Sequence, residues 1–389
     1  MTAFQHDTEE EVGNLKDKTA KSDKRIIIRR LWWLLPGPVF YGLFRLSFLW
    51  PSFTENVYSR AIFRATNQGL SSATGILPFS LGEFLLYAAL LFACIYIIIT
   101  IVRAVKAKRK WWMAILKRLL WLLCAVSFVY ALFISLWGFN YARQPLGTAL
   151  SLNTAPATVS ELYATCETLL EEATLLREEV PQDENGVFLP EKSKEAIMLS
   201  TTALYRRAAD VSGFDMLGGA FGRVKPVVYS IGLSKANITG VYFPFTGEAN
   251  VNADVPMLMF GATCLHEAAH QRGYAREDEA NFLAYYVSKH SGDNEVEYSG
   301  VMLALLHAMN KLYAQDQELY FALRAKYTKG MNADLADNNA YWKQFDSPVA
   351  ELSEQINDSF LKANRQEDGV KSYGRMVDLL IGLWRKGAL

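Results

Sequence analysis

Apolar residues crowd into three stretches of the first 143 residues: LWWLLPGPVFYGLFRLSFLW (31–50), FLLYAALLFACIYIIITIV (84–102) and an uncharged run from Leu119 to Ala142. A helix rising ~1.5 Å per residue needs roughly 20 residues to cross ~30 Å of hydrocarbon. The runs therefore predict three transmembrane helices. The first also admits a bent or interfacial reading, because it carries Arg45 and the breaker Pro36-Gly37-Pro38. Beyond residue 143 the pattern turns amphipathic. Residues 157–181 and 190–211 place apolar side chains at helical spacing, with Tyr205 and Ala209 on the buried side of the second segment. Residues 237–252, NITGVYFPFTGEANVN, predict one or two short strands, which Pro244 restricts to an edge position or an irregular loop. Most of the remaining chain reads as helix, with breaks near 292–294 and 332–339.

These elements predict a membrane protein of three parts: a basic tail at 1–28, a three-helix transmembrane region at 29–143, and a mainly α domain with a small edge sheet at 144–389. Lys and Arg set the orientation, because cytoplasmic loops are enriched in them. Lys16, Lys18, Lys21, Lys24, Arg25, Arg29 and Arg30 precede the first run, and Arg103, Lys106, Lys108, Arg109, Lys110, Lys117 and Arg118 separate the second from the third. Both clusters read as cytoplasmic. Residues 51–83 then suit an external loop, and three crossings put the N-terminus inside and the C-terminal domain outside. The first run is expected to stay as a retained signal anchor, since no small-residue cleavage site follows it. The partner implied by composition is the lipid bilayer. Forty basic and forty acidic residues cancel, so no global field argues for nucleic acid. Nothing in the pattern sets an oligomeric state. Of the four cysteines, Cys94 and Cys124 sit in membrane runs as small hydrophobes, and Cys166 and Cys264 have no spacing that indicates a disulfide.

Candidate chemistry lies in TCLHEAAHQRGYAREDEANFLAYY (263–286), which spends two of only five histidines. On a helix opened by Pro256, His266 and His270 stand one turn apart on one face, the spacing two imidazoles need to share a tetrahedral Zn²⁺. Cys264, about 200° around the helix from His266, faces elsewhere. Glu267 lies ~100° from His266, placed to take a proton from water without occupying the metal. Gly273 supplies a stop, and Glu277 is the first carboxylate as the chain returns. Glu279 is the alternative third ligand, on the opposite face of the next helix. With Glu277 as ligand, Asn281 shares its face and is the expected orienting partner. Tyr274, Tyr285, Tyr286 and His290 are candidate oxyanion donors, each with a plain structural reading beside it. His307 reads as a core or boundary histidine, and His6 belongs to the tail. Tyr242, Phe243 and Phe245 are candidates to line a pocket, with Glu248 and Asn250 offering polar contacts.

The HEAAH segment resembles the zincin superfamily of zinc metallopeptidases, and Glu277-Asp278-Glu279-Ala280-Asn281 resembles the E-x-x-A-D/N element of the gluzincins. The resemblance implies His266, His270 and Glu277 as zinc ligands, Glu267 as general base, and a peptide or protein substrate that lies antiparallel to an edge strand. Six residues separate His270 from Glu277, nearer to the metzincin layout, whose third histidine position holds Arg276 here. Across the chain WGFNYAR, GVYFPFTGEANVN, HEAAHQRGYAREDEANFLAYY and GVKSYGRMVDLL together resemble the bacterial membrane proteins called domain of unknown function 3810. The expectation is a zincin-like extracytoplasmic domain anchored in the bacterial cytoplasmic membrane and acting as a zinc metallopeptidase. The alternative is a non-catalytic zinc-binding envelope or signalling protein that binds peptides or partners.

Overall fold

Proline decides the fate of the first apolar run. In the computed structural model, which describes residues 30–107, 111–364, 366 and 375–389, the run yields only a short helix, α1 (Pro36–Ser47). At ~1.5 Å per residue its 12 residues cover about 18 Å, well short of a bilayer. Pro36 and Pro38 lack the N–H groups that would tie them to the preceding turn, and Pro51 starts a separate helical turn at Pro51–Phe53. The freed groups at the break find Ser127, whose hydroxyl donates to the Leu34 carbonyl and accepts from the Gly37 N–H, each at 2.8 Å. After α2 (Arg64–Thr74) come α3 (Leu81–Lys106) and α4 (Trp111–Leu136), the two helices long and apolar enough to cross a membrane. In place of the three N-terminal spans expected, the described residues hold two helices of that length and composition. The tail 1–28 with His6, residues 108–110, and 369–374 of the GVKSYGRMVDLL motif lie outside the described residues.

The chain divides into two compact units, one of residues 1–49 and 86–135, the other of 50–85 and 136–389. Residues 51–83, expected as a loop, instead fold as helix in the second unit, with a wide-turned π-helix at Thr54–Phe63 ahead of α2. This unit is mostly helical with a small mixed sheet. Its first two long helices, α5 (Val159–Glu179) and α6 (Lys194–Ser212), start where their caps stand. Thr158 and Glu161 form a reciprocal capping box, and Ser193 caps α6. The apolar face of α5 packs on α9 (Asn294–Gln315), which packs on α7 (Met257–Gln271) and α8 (Glu277–Lys289). The helices α10 (Gln317–Arg324), α11 (Lys329–Lys343), α12 (Pro348–Ala363) and α13 (Met376–Arg385) follow. The break expected at 332–339 is absent, because α11 runs through it. Asp334 is stabilised there by Arg177 at 2.7 Å, the Phe188 N–H at 2.7 Å and the Tyr298 hydroxyl at 2.5 Å.

The sheet has three strands, β1 (Lys225–Pro226), β2 (Gly240–Phe243) and β3 (Glu248–Val251), in the order β1-β3-β2. Pro244 falls in the turn between β2 and β3, outside both strands, and β2 is an edge strand. Register puts Lys225, Asn250 and Val241 in one row and Glu248 opposite Phe243. Side chains alternate across a pleated sheet, so Gly240, Tyr242, Ala249 and Val251 share the face on α7. The other face holds the start of α3. There Glu248, paired with buried Lys225, accepts the Leu81 and Gly82 N–H groups, a carboxylate at the positive end of a helix. Of the two residues expected to meet a ligand, Glu248 is buried and spent on the fold, and Asn250 is buried with its amide donating to the Val241 carbonyl.

Candidate metal centre

The last turn of α7 presents His266 and His270 on one face, their ring centroids 4.7 Å apart. Helix α7 ends at Gly273, whose φ of +87° suits a residue without Cβ, and the Tyr274 N–H bonds back to the Ala269 carbonyl. The chain then turns, and α8 opens with Glu277. Its carboxylate lies 3.3 Å from His266 Nε2 and 3.5 Å from His270 Nε2. The donor atoms of His266, His270 and Glu277 all lie within 4.8 Å of one another, a group that could hold a metal ion. Glu279 points elsewhere, accepting the Leu146 N–H and the Arg276 guanidinium at 2.7 Å each.

Both imidazoles are oriented from behind. The His266 Nδ1–H donates to Asn281 Oδ1 at 2.8 Å, and the His270 Nδ1–H donates to the Tyr274 carbonyl at 2.7 Å. Each bond occupies Nδ1 and turns Nε2 towards Glu277, leaving it as the nitrogen available to a metal. Electrostatics tie the three together. Burial works against charge on His266, yet the hydrogen bond and charge of Glu277 lift its pKa to about 9. His270, where burial prevails over Glu277, falls to about 4. Burial raises Glu277, but the two imidazoles outweigh it and hold the carboxyl below its usual range.

Glu267 stands beside this group, 3 % exposed, and its Oε2 has no hydrogen-bond partner. Burial, with the nearby Glu277 charge adding and His266 opposing, pushes its pKa up to about 8. Its neighbour is the first residue of β2. A Cβ on Gly240 would lie 2.5 Å from Glu267 Oε1 and 2.7 Å from Cδ and Cγ, so only glycine leaves the carboxylate where it is. Cys264 is buried on another face, its thiol raised by burial, and all four cysteines are free.

Aromatic side chains wall the site. Trp137 meets His270 edge-on at 5.8 Å and Tyr242 at 4.6 Å, while the Tyr242 hydroxyl donates to Asn67. Arg143 is fully buried, held by Glu55 at 2.8 Å, and donates to the Gly273 carbonyl at 3.0 Å, bracing the turn between α7 and α8. Trp137 and Arg143 belong to WGFNYAR, a motif to which the sequence alone assigns no site role. A tryptophan and an arginine at the end of an apolar run were the available signal. Tyr141, in the same motif, is buried and feels the charge of Glu277. Of the oxyanion candidates, Tyr274 is buried under Arg143, 4.1 Å from the guanidinium to the ring centroid. Tyr285 faces Glu172 and Glu297, and Tyr286 stacks between Phe282 and His290. His307 on α9 is close enough for the His266 charge, after burial, to help lower its pKa to about 4.

The family model described as "Protein of unknown function (DUF3810)" matches residues 58–381, which takes in the whole site. No curated protein and no solved structure matches the chain.

Proposed function

We propose that this chain, which belongs to the DUF3810 family, is a membrane-anchored zinc metallopeptidase of zincin type that hydrolyses peptide bonds outside the bacterial cytoplasmic membrane. One observation carries the reading: His266, His270 and Glu277 converge, and Glu267, the residue after the first ligand, has an unpartnered buried carboxylate oxygen. Two imidazoles and one carboxylate suit zinc. A closed structural zinc site uses four protein ligands, whereas the described residues supply three, the number of a catalytic site. Zinc held there would supply Lewis-acid polarisation and make water nucleophilic near neutral pH.

The chain's own residues do the rest. Glu267 takes the proton of the attacking water and returns it to the leaving amine, a task suited to a carboxyl raised towards neutrality. Asn281 and the Tyr274 carbonyl keep both imidazoles in the ligating tautomer. Edge strand β2 offers its open side to an extended polypeptide, which backbone hydrogen bonds would align antiparallel beside Glu267.

Metal analysis and peptidase assays on the full chain and on Glu267→Gln test this. Both proteins are expected to carry about one zinc, and the variant to lose ~10²–10⁴-fold in rate. Zinc-loaded wild type as inert as Glu267→Gln towards diverse envelope peptides would transfer the site to a non-catalytic zinc-binding role. Absence of bound metal in both would remove either reading.

A further inference from the structure

The sheet has a second face, and the chain leaves the unit beside it. Residues 81–85 belong to the same unit as the sheet and begin α3, whose apolar surface is among the most exposed in the molecule. That start is fixed from three sides. Glu248 binds the Leu81 and Gly82 N–H groups, the Phe243 side chain lies where a Cβ on Gly82 would come within 2.7 Å, and Glu83 accepts the Val228 and Tyr229 N–H groups at 2.7 and 2.9 Å. Around it apolar side chains stand open. Ile76 is 81 % exposed, Val228 66 %, Tyr229 54 %, Phe84 46 % and Val241 42 %.

Charge distinguishes among possible covers. Residues 65–82, 226–234 and 236–247, which meet here, contain no Asp, Glu, Lys or Arg. Of the charges flanking these stretches, Lys225 and Glu248 pair while buried and Glu83 is buried, while Lys235, between the second and third stretches, is exposed. An aromatic and aliphatic surface without charges, continuous with the first turn of an apolar helix, has the composition of the lipid headgroup boundary.

We infer that this unit rests on the bilayer surface through the face of the sheet opposite α7, with Val228, Tyr229 and Val241 set into the headgroup region. Strand β2 then has two roles. Val241 points to lipid, while the preceding Gly240 lies on the other face against Glu267. A polypeptide paired with β2 would lie at headgroup level. If the peptidase reading holds, the substrates are membrane-anchored polypeptides cut within the first few residues outside the bilayer.

The test uses the full chain in phosphatidylcholine–phosphatidylglycerol vesicles. Cys94→Ala and Cys124→Ala remove the accessible native thiols, Cys166 and Cys264 being buried. An environment-sensitive fluorophore is attached at Val228→Cys, Val241→Cys and, as control, Leu175→Cys on α5, which is 65 % exposed. Spin-labelled lipid is expected to quench the first two several-fold more strongly than the control. Equal quenching overturns the inference, and so does shielding of the first two from aqueous iodide without quenching by lipid, which would mean a protein covers the face. Quenching is read without catalysis, so an inert enzyme leaves the docking face standing and removes only the substrate class. With active enzyme, a lipid-tethered peptide is expected to be cut several-fold faster than the same peptide free, and equal rates overturn the substrate class.

Discussion

Glu277 and Glu279 sit two residues apart, and their neighbours give them opposite tasks. Glu277 faces two imidazoles, whereas Glu279 satisfies the Leu146 N–H and Arg276. Glu277→Ala should abolish stoichiometric zinc binding, while Glu279→Ala should keep zinc in the folded fraction and lower thermal stability. Metal content measured beside a melting curve separates them, and the reverse pattern would make Glu279 the ligand. Gly240 is a residue that motif reading alone does not single out. Its substitution by Ala forces Glu267 aside, and a displacement near 1 Å from productive geometry costs on the order of 10²-fold. The expected signature of Gly240→Ala is a rate loss of about that size at unchanged zinc content. Full activity in this variant would show that Glu267 need not stay where it is. His266 and His270 were legible as a pair because helical spacing puts residues four apart on one face, and Glu277 because it is the first carboxylate after the Gly273 reversal. Gly240 was not, since its importance comes from a strand 27 residues earlier lying on that helix.

Two helices joined by a tight reversal at Gly273 hold the candidate centre. Gly273 has φ of +87°, and a Cβ there would come within 2.9 Å of Phe63. The left-handed conformation costs a residue with Cβ about 1–2 kcal/mol, and the contact adds to it. Gly273→Ala should therefore lower the melting temperature by several degrees and weaken zinc binding, because the turn sets the distance from α7 to Glu277. A variant with unchanged melting and metal affinity would show that α7 and α8 are held together elsewhere. Apolar residues at helical spacing made α5 and α6 readable to within a few positions, and the Gly273 stop was equally plain. The break expected at 332–339 misled, since a polar residue such as Asp334 loses its helix-breaking effect when tertiary partners, here Arg177 and Tyr298, bond its side chain.

Residues 50–85 and 136–389 fold as one unit, and the chain between them forms α3 and α4, so the two helices must leave and return on one side of any membrane they cross. On the proposed orientation Arg103, Lys106, Lys117 and Arg118 put the far end of that helix pair on the cytoplasmic side. A reporter active only in the cytoplasm should be silent when fused after Leu389 and active when inserted near residue 109. The opposite pattern would place the metal centre in the cytoplasm. The sequence by itself determined the ligand helix, the reversal after it, the amphipathic helices and the two apolar ones, all of which depend on periodicity and on local breakers within a few residues. Tertiary structure alone decided that residues 51–83 join the C-terminal domain and that Trp137 and Arg143 wall and brace the centre. It also decided that Glu248 anchors α3 instead of meeting a ligand. Those outcomes join segments tens to more than a hundred residues apart, where no spacing rule operates and only burial and the pairing of buried polar groups choose the partner.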